Sequence, residues 1–399
     1  MARTSRIDPG IPRPLGETRD RLPELDALRG LAALAIVIVH ARPRWLGSGW
    51  VAVDFFFVLS GYLITTIVLR HGGANGFLRA FYVRRSLRVW PIYLVALALV
   101  LLLNPWLGGG EVQWGGLPTH LTFTQNVSLH WSSSAPYLTR NFLHTWTLAI
   151  EEQFYLIWPL TLVLIGRTRA RVGTAAAALV VLSVVARGQG LPITVLLARC
   201  DGLAMGGLLA AVLDGREARE LPTRRLRTGF AVTAVVSVGA LSMIRKLGGP
   251  ALEIGVPSWP GLTLLGFNLL FFSVIGLVVC HSGGRWLAPL RYGPLVRLGD
   301  YSYGLYLYHF ILMGWSDAPR RLLGVGGPGF WRLITAGPLA LLTAWLSWKY
   351  LERPVLSLKD RFPYRHDSVA TTRLGTSEPG QVPTPHPLAG TSSPAAPRA

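Results

Sequence analysis

The chain is a succession of apolar runs, parted by short segments rich in arginine. That pattern limits the fold more than any motif does. Inside lipid every backbone polar group must be satisfied within the protein, so such runs become helices and the helices must pack together. A helix needs roughly 20 apolar residues to cross a bilayer, and about ten runs approach that length. They cover residues 25–41, 50–69, 89–103, 146–165, 172–186, 191–213, 229–243, 260–280, 298–315 and 331–350. The expected fold class is therefore all-α, a polytopic transmembrane helical bundle. Pro91 falls near the start of the third run, where a helix tolerates it. Residues 1–24 are rich in Pro and Arg and are expected to form a mobile cytoplasmic arm. Residues 25–354 make the membrane domain. Residues 355–399 turn to Thr, Ser, Pro, Gly and Ala, a composition expected to leave a disordered cytoplasmic tail. The first run has no small-x-small cleavage site and is expected to remain as a span.

Composition agrees. Hydrophobic residues make up 51% of the chain and charged residues 15%, too little charge to cover a soluble domain of this size. The net charge of +19 does not point to nucleic acid, because the arginines stand in short clusters between apolar runs. They are read as topology determinants and as contacts to anionic lipid or an anionic substrate. With the N-terminus inside, Lys and Arg favour the inner segments about threefold. This predicts a multi-pass membrane protein with both termini in the cytoplasm and residues 104–145 outside. Cys200 and Cys280 lack metal-type spacing, so free thiols are expected, with no zinc, other metal or disulfide.

Five strings carry candidate chemistry. In LDALRGLAALAIVIVH, Arg29 and His40 are eleven residues apart, on one helical face and roughly 16 Å apart along the axis. Either they are functional, or they are an interfacial anchor and a headgroup-level residue. In RRSLR, Arg85 and Arg88 share a face and suit a phosphate-bearing ligand; the alternative is a stop-transfer cluster at lipid headgroups. In HTWTLAIEEQFYLIWP, Glu151 and Glu152 enter an otherwise apolar run, either to orient a hydroxyl or an imidazole, or as a structural ion pair. In VDFFFVLSGYL, Asp54 could orient a histidine or bind sugar hydroxyls, while Ser60 and Gly61 suit close helix packing. In LGDYSYGLYLYHF, the tyrosines and His309 either mark a membrane interface or line a pocket, with Tyr306 and His309 as acceptor-site candidates. Arg199 and Asp201 are read as a buried ion pair, and LERP as a helix stop.

In this order, these strings resemble the blocks of the acyltransferase-3 family of polytopic bacterial membrane O-acyltransferases, from about residue 25 to residue 354. The resemblance implies transfer of an acyl group, usually acetyl, from a coenzyme A thioester to a hydroxyl, often of a sugar. It assigns the essential His to His40 and its partner Arg to Arg29. The Arg-x-x-Arg pair linked to donor binding corresponds to Arg85 and Arg88, and the motif Glu to Glu151, with Glu152 its less certain neighbour. Acetyl-CoA is expected as co-substrate, with no bound cofactor. The expected partners are membrane lipid and a sugar, glycan or macrolide acceptor. Some members carry a further extracytoplasmic esterase-like domain. The short polar tail here is expected to fit stand-alone members that acylate macrolides or small glycosides. The expected mechanism has Arg85, Arg88 and Arg29 holding the donor's anionic end while neutral His40 accepts the hydroxyl proton, either directly or by way of an acyl-histidine. Glu151 or Asp54 would orient the imidazole or the acceptor. The competing class is a proton-coupled transporter, which buried Arg, His and Glu would also serve.

Overall fold

The first helix, α1, spans Pro23–Ala41, with proline at its start and Glu24 and Asp26 in its first turn. Proline is pre-organised there, and the acids complement the helix dipole. The computed structural model describes residues 21–46, 48–108, 111–127, 138–214, 224–246, 260–324 and 327–364. Those described residues lie in one unit, Met1–His366. Most of the expected arm and tail falls outside them. Residues 355–364, placed by composition with the tail, continue the fold through Arg353–Ser357 and a 3-10 turn, Leu358–Arg361.

After a 3-10 turn at Gly49–Val51, α2 covers Ala52–His71. Gly76 then takes a left-handed conformation (φ 68°) that admits glycine without strain, and it opens α3, Phe77–Leu103. This helix corrects the expectation for Pro91. It starts twelve residues earlier than residue 89 and runs through the proline without a break. Arg84, Arg85 and Arg88 therefore belong to the same rigid helix as the apolar run. The chain continues with α4 (Leu117–Leu121), α5 (Trp146–Ile165), α6 (Arg169–Gly188), α7 (Leu196–Arg199) and α8 (Asp201–Leu213). Then come α9 (Arg224–Lys246), α10 (Pro260–His281), α11 (Gly293–Asp300), α12 (Ser302–Leu322), α13 (Pro328–Ile334) and α14 (Ala336–Ser347). No strand occurs among the described residues.

Among the described residues, seven helical segments are long and apolar enough to cross a membrane. They contain α2, α3, α5, α6, α9, α10 and the segment Pro328–Arg361. Each of the other expected runs is also helical but falls outside that set. α1 carries Glu24, Asp26 and Arg29; α12 carries tyrosines and a histidine at one end and Asp317, Arg320 and Arg321 at the other. The run at 191–213 divides into the single turn α7 and the 13-residue α8. The run at 331–350 is interrupted at Thr335 and closes in a π-helical turn, Trp348–Glu352.

Glycine permits the closest contacts. A Cβ on Gly61 would lie 1.8 Å from the Leu203 carbonyl oxygen, and one on Gly206 would lie 2.0 Å from that of Val58, so α2 and α8 touch backbone to backbone. α1 packs along α11, α12 and α2. Ile36, Val37, Tyr93, Leu97, Phe142, Leu148, Leu305 and Leu307 close one apolar cluster where α1, α3, α5 and α12 converge.

The described parts of residues 104–145 fold back onto the bundle. The Tyr93 hydroxyl donates to the His120 carbonyl at 3.1 Å, and the Gln125 amide donates to the Thr145 carbonyl at 3.0 Å. The second bond ties residue 125 to the end of the 3-10 turn Arg140–Thr145, ahead of α5. On α3, Arg84 donates to the carbonyls of Lys359 (3.0 Å) and Phe362 (3.3 Å), while Tyr364 stacks on His71.

Candidate active site

Three imidazoles meet where α1, α12 and the turn before α5 converge. His40 stands in the last turn of α1, His309 in α12, and His144 in the 3-10 turn. The ring of His309 lies 5.1 Å from that of His40 and 5.4 Å from that of His144, centre to centre. Phe310 packs against both His40 (5.1 Å) and His144 (5.2 Å).

Backbone carbonyls dictate where the ring protons sit, because a carbonyl oxygen can only accept. His40 Nδ1 lies 2.9 Å from the Ile36 carbonyl, so it carries the proton and donates. His309 Nδ1 lies 2.6 Å from the Tyr306 carbonyl and likewise donates, which leaves its Nε2 as an acceptor. That Nε2 faces His40 Nδ1 at 3.2 Å. In the neutral ring the His40 lone pair therefore falls on Nε2, which has no hydrogen-bond partner among the described residues. His144 Nε2 donates to the Leu307 carbonyl at 3.1 Å, and its Nδ1 is buried without a partner among them.

At the other end of α1, α3 and α5 supply a charged cluster. Arg88 lies within electrostatic reach of Arg29, Arg85 and Glu352. Glu151 lies within reach of Arg85, Glu152 and Arg29 and hydrogen-bonds Tyr155. The Arg85 guanidinium sits 4.3 Å over the Tyr155 ring. Arg29 also contacts Asp26 at 3.4 Å. The three arginines named from spacing thus share one neighbourhood, with Glu151 and Glu352 partly balancing their charge. Glu152 instead accepts from the Trp90 indole at 3.0 Å. Tyr306 bridges the two ends, being within electrostatic reach of Glu151 and donating its hydroxyl to the His144 carbonyl at 2.8 Å.

One sequence reading changes, and two candidates gain specific partners. Asp54, an acceptor-site candidate, is fully buried and pairs with Arg199 at 2.9 Å, with Asp201 and Arg187 as its other charged neighbours. Arg199 does not pair with Asp201. Asp201 binds Arg187 at 2.8 Å and accepts from the Asn268 amide at 2.9 Å. Residues two apart at the junction of α7 and α8 point in different directions, so each finds a partner on another helix. Tyr306, also an acceptor-site candidate, donates its hydroxyl to the His144 carbonyl, and its oxygen can still accept.

Sequence reasoning passed over His144, Tyr155 and Glu352. A signal existed for two of them. His144 opens the same string as Glu151, seven residues earlier, and Glu352 is the acid of LERP, read only as a stop. Among the described residues no group of three His, Cys, Asp or Glu is arranged to hold a metal ion.

Known proteins resemble the chain over most of its length. At 29% identity over 367 residues, covering 84% of this chain and 55% of the relative, the chain is similar to a putative peptidoglycan O-acetyltransferase of Bacillus subtilis (strain 168). A peptidoglycan O-acetyltransferase of Listeria monocytogenes is 26% identical over 364 residues, covering 85% of this chain and 56% of its own length. A putative O-acetyltransferase of Staphylococcus aureus (strain COL) is 28% identical over 377 residues, covering 84% and 57%. The chain thus spans about half the length of the curated relatives it matches. No solved structure matches it. Residues 22–349, which contain α1, the arginine cluster and all three imidazoles, match the family's acyltransferase domain, and the chain belongs to the acyltransferase-3 family.

Proposed function

We propose that the chain is a multi-pass O-acyltransferase of the bacterial inner membrane, moving an acetyl group from coenzyme A to a hydroxyl of a glycan. Family membership and the O-acetyltransferase names of its relatives support the reaction class. The relatives named for peptidoglycan favour a glycan acceptor over a macrolide. The observation that carries the reading is the division of labour along α1. Arg29 joins Arg85 and Arg88 near its start, while the unprotonated Nε2 of His40 stands near its end.

Guanidiniums bind phosphate bidentately, so Arg85, Arg88 and Arg29 hold the anionic end of the donor. The thioester arm reaches along α1 to His40. There Nε2 removes the proton from the acceptor hydroxyl as the oxygen attacks the thioester carbonyl. The carbon–sulfur bond breaks, and the imidazolium returns the proton to the departing thiolate. The products are the acetyl ester and coenzyme A, with His40 restored. Glu151, beside Arg85, keeps that guanidinium in place.

Membranes carrying the protein, given acetyl-labelled acetyl-CoA and a glycan acceptor, should form labelled ester, and His40→Ala should form none at equal protein level. Full activity in His40→Ala refutes the base. Acceptor uptake without ester formation, coupled to protons, favours the transporter class instead.

A further inference from the structure

We infer that His309 is a positioning residue that holds His40 in its reactive tautomer through an imidazole–imidazole hydrogen bond, with no carboxylate involved. The inference rests on His40 being the base.

An imidazole serves as base only if its lone pair is on the nitrogen that meets the substrate. For His40 that is Nε2, and two acceptors enforce it. The Ile36 carbonyl, one turn back on α1, draws the Nδ1 proton at 2.9 Å. His309 Nε2 draws the same proton from across the interface with α12, at 3.2 Å. His309 can accept only because its own proton is fixed elsewhere: Nδ1 donates to the Tyr306 carbonyl at 2.6 Å, within the same helix. The ring of His309 is fully buried, and Tyr306, His144 and Phe310 surround it. It therefore holds His40 from behind.

The same bond acts during the reaction. When Nε2 takes the hydroxyl proton, His40 becomes a cation, and the Nδ1–H bond to His309 becomes charge-assisted and stronger. The interaction gains strength after the ground state, so its loss falls on kcat and leaves substrate binding intact.

Three substitutions separate this role from packing. Glutamine sets its amide oxygen near the position of Nε2 and keeps the acceptor. Asparagine reaches only the position of Nδ1, and leucine offers no acceptor. We expect His309→Asn and His309→Leu to lower kcat by about 10- to 100-fold, part of what a general base contributes, with both KM values within twofold. His309→Gln should recover kcat to within about fivefold of the parent. Glutamine as impaired as asparagine, or a loss confined to KM, overturns the inference. If the asparagine and leucine variants do not fold, nitrogen-15 NMR of ring-labelled parent protein decides: His40 must be the Nδ1–H tautomer, and an Nε2–H ring overturns it. Full activity in His40→Ala would instead refute the base on which the inference rests, whereas an inactive His40→Ala beside a fully active His309→Asn refutes only the positioning role.

Discussion

Arg199 and Asp54, 145 residues apart in sequence, form an ion pair at 2.9 Å with both side chains fully buried, joining α7 to α2. Beside it, Arg187 and Asp201 form a second buried pair, which Asn268 of α10 completes. Four charges of zero net sign thus sit inside the bundle. Removing one leaves an uncompensated buried charge, which costs about 3–5 kcal/mol.

Asp54→Ala should therefore lower the unfolding temperature of the detergent-solubilised protein by many degrees and reduce the yield of folded protein. The double variant Asp54→Leu with Arg199→Leu should be the milder of the two, because it removes both charges. Thermal unfolding followed by tryptophan fluorescence would show the order. If Asp54→Ala keeps full stability and loses activity alone, Asp54 belongs to the reaction and not to the scaffold.

The neighbouring glutamates should behave differently. Glu151 lies with Arg85 and Arg29, whereas Glu152 accepts from the Trp90 indole. A glutamine side chain can still accept from that indole but carries no charge. Glu152→Gln should retain transfer within about threefold, and Glu151→Gln should lose at least tenfold, since a charged hydrogen bond contributes about 1.5–3 kcal/mol. Initial rates at donor concentrations well below its KM, normalised to folded protein, test the contrast. Equal losses would contradict it.

Replacing Arg85 and Arg88 together should raise the apparent KM for acetyl-CoA by about 100-fold or more, at two charge-assisted contacts of about 1.5–3 kcal/mol each. The acceptor KM should change little. Because both guanidiniums lie on α3, the effect should weaken as salt rises and screens the donor's phosphates. A donor titration at two ionic strengths measures both. A change confined to the acceptor KM would move the donor site elsewhere.

Gly61→Ala should be poorly tolerated even though it adds a single methyl group. Its Cβ would lie 1.8 Å from the Leu203 carbonyl, a contact that backbone movement alone can relieve. Overpacking typically costs about 1–3 kcal/mol, and here the loss should reach the upper end. Gly229→Ala in α9, where nothing lies within 4 Å of a Cβ, is the control and should be neutral or stabilising. Size-exclusion profiles and unfolding temperatures of the two variants should diverge. Equal behaviour would mean that α2 and α8 do not touch as described.

The arginine and histidine spacings of the candidate site were legible in the sequence because their logic is local. Arg29 with His40, and Arg85 with Arg88, are relations of helical spacing, and a helix converts spacing into direction. The division of Glu151 from Glu152 was half legible: adjacent residues must diverge, but nothing nearby shows that Trp90 takes one and Arg85 the other. Pro91 misled by suggesting a boundary. Helix α3 runs through it because the bundle around it, with Val89, Ile92 and Tyr93 buried, holds the segment in place.

Hydrophobic runs and their arginine punctuation were enough to establish helices in a bundle, because lipid leaves an apolar segment no other way to satisfy its backbone. The pairing of those helices was invisible at that level. Asp54 meets Arg199 across 145 residues, and His309 meets His40 across 269. Which buried charge finds its opposite, and which nitrogen of His40 keeps its lone pair, are decided by carbonyls and side chains brought together only when the helices pack.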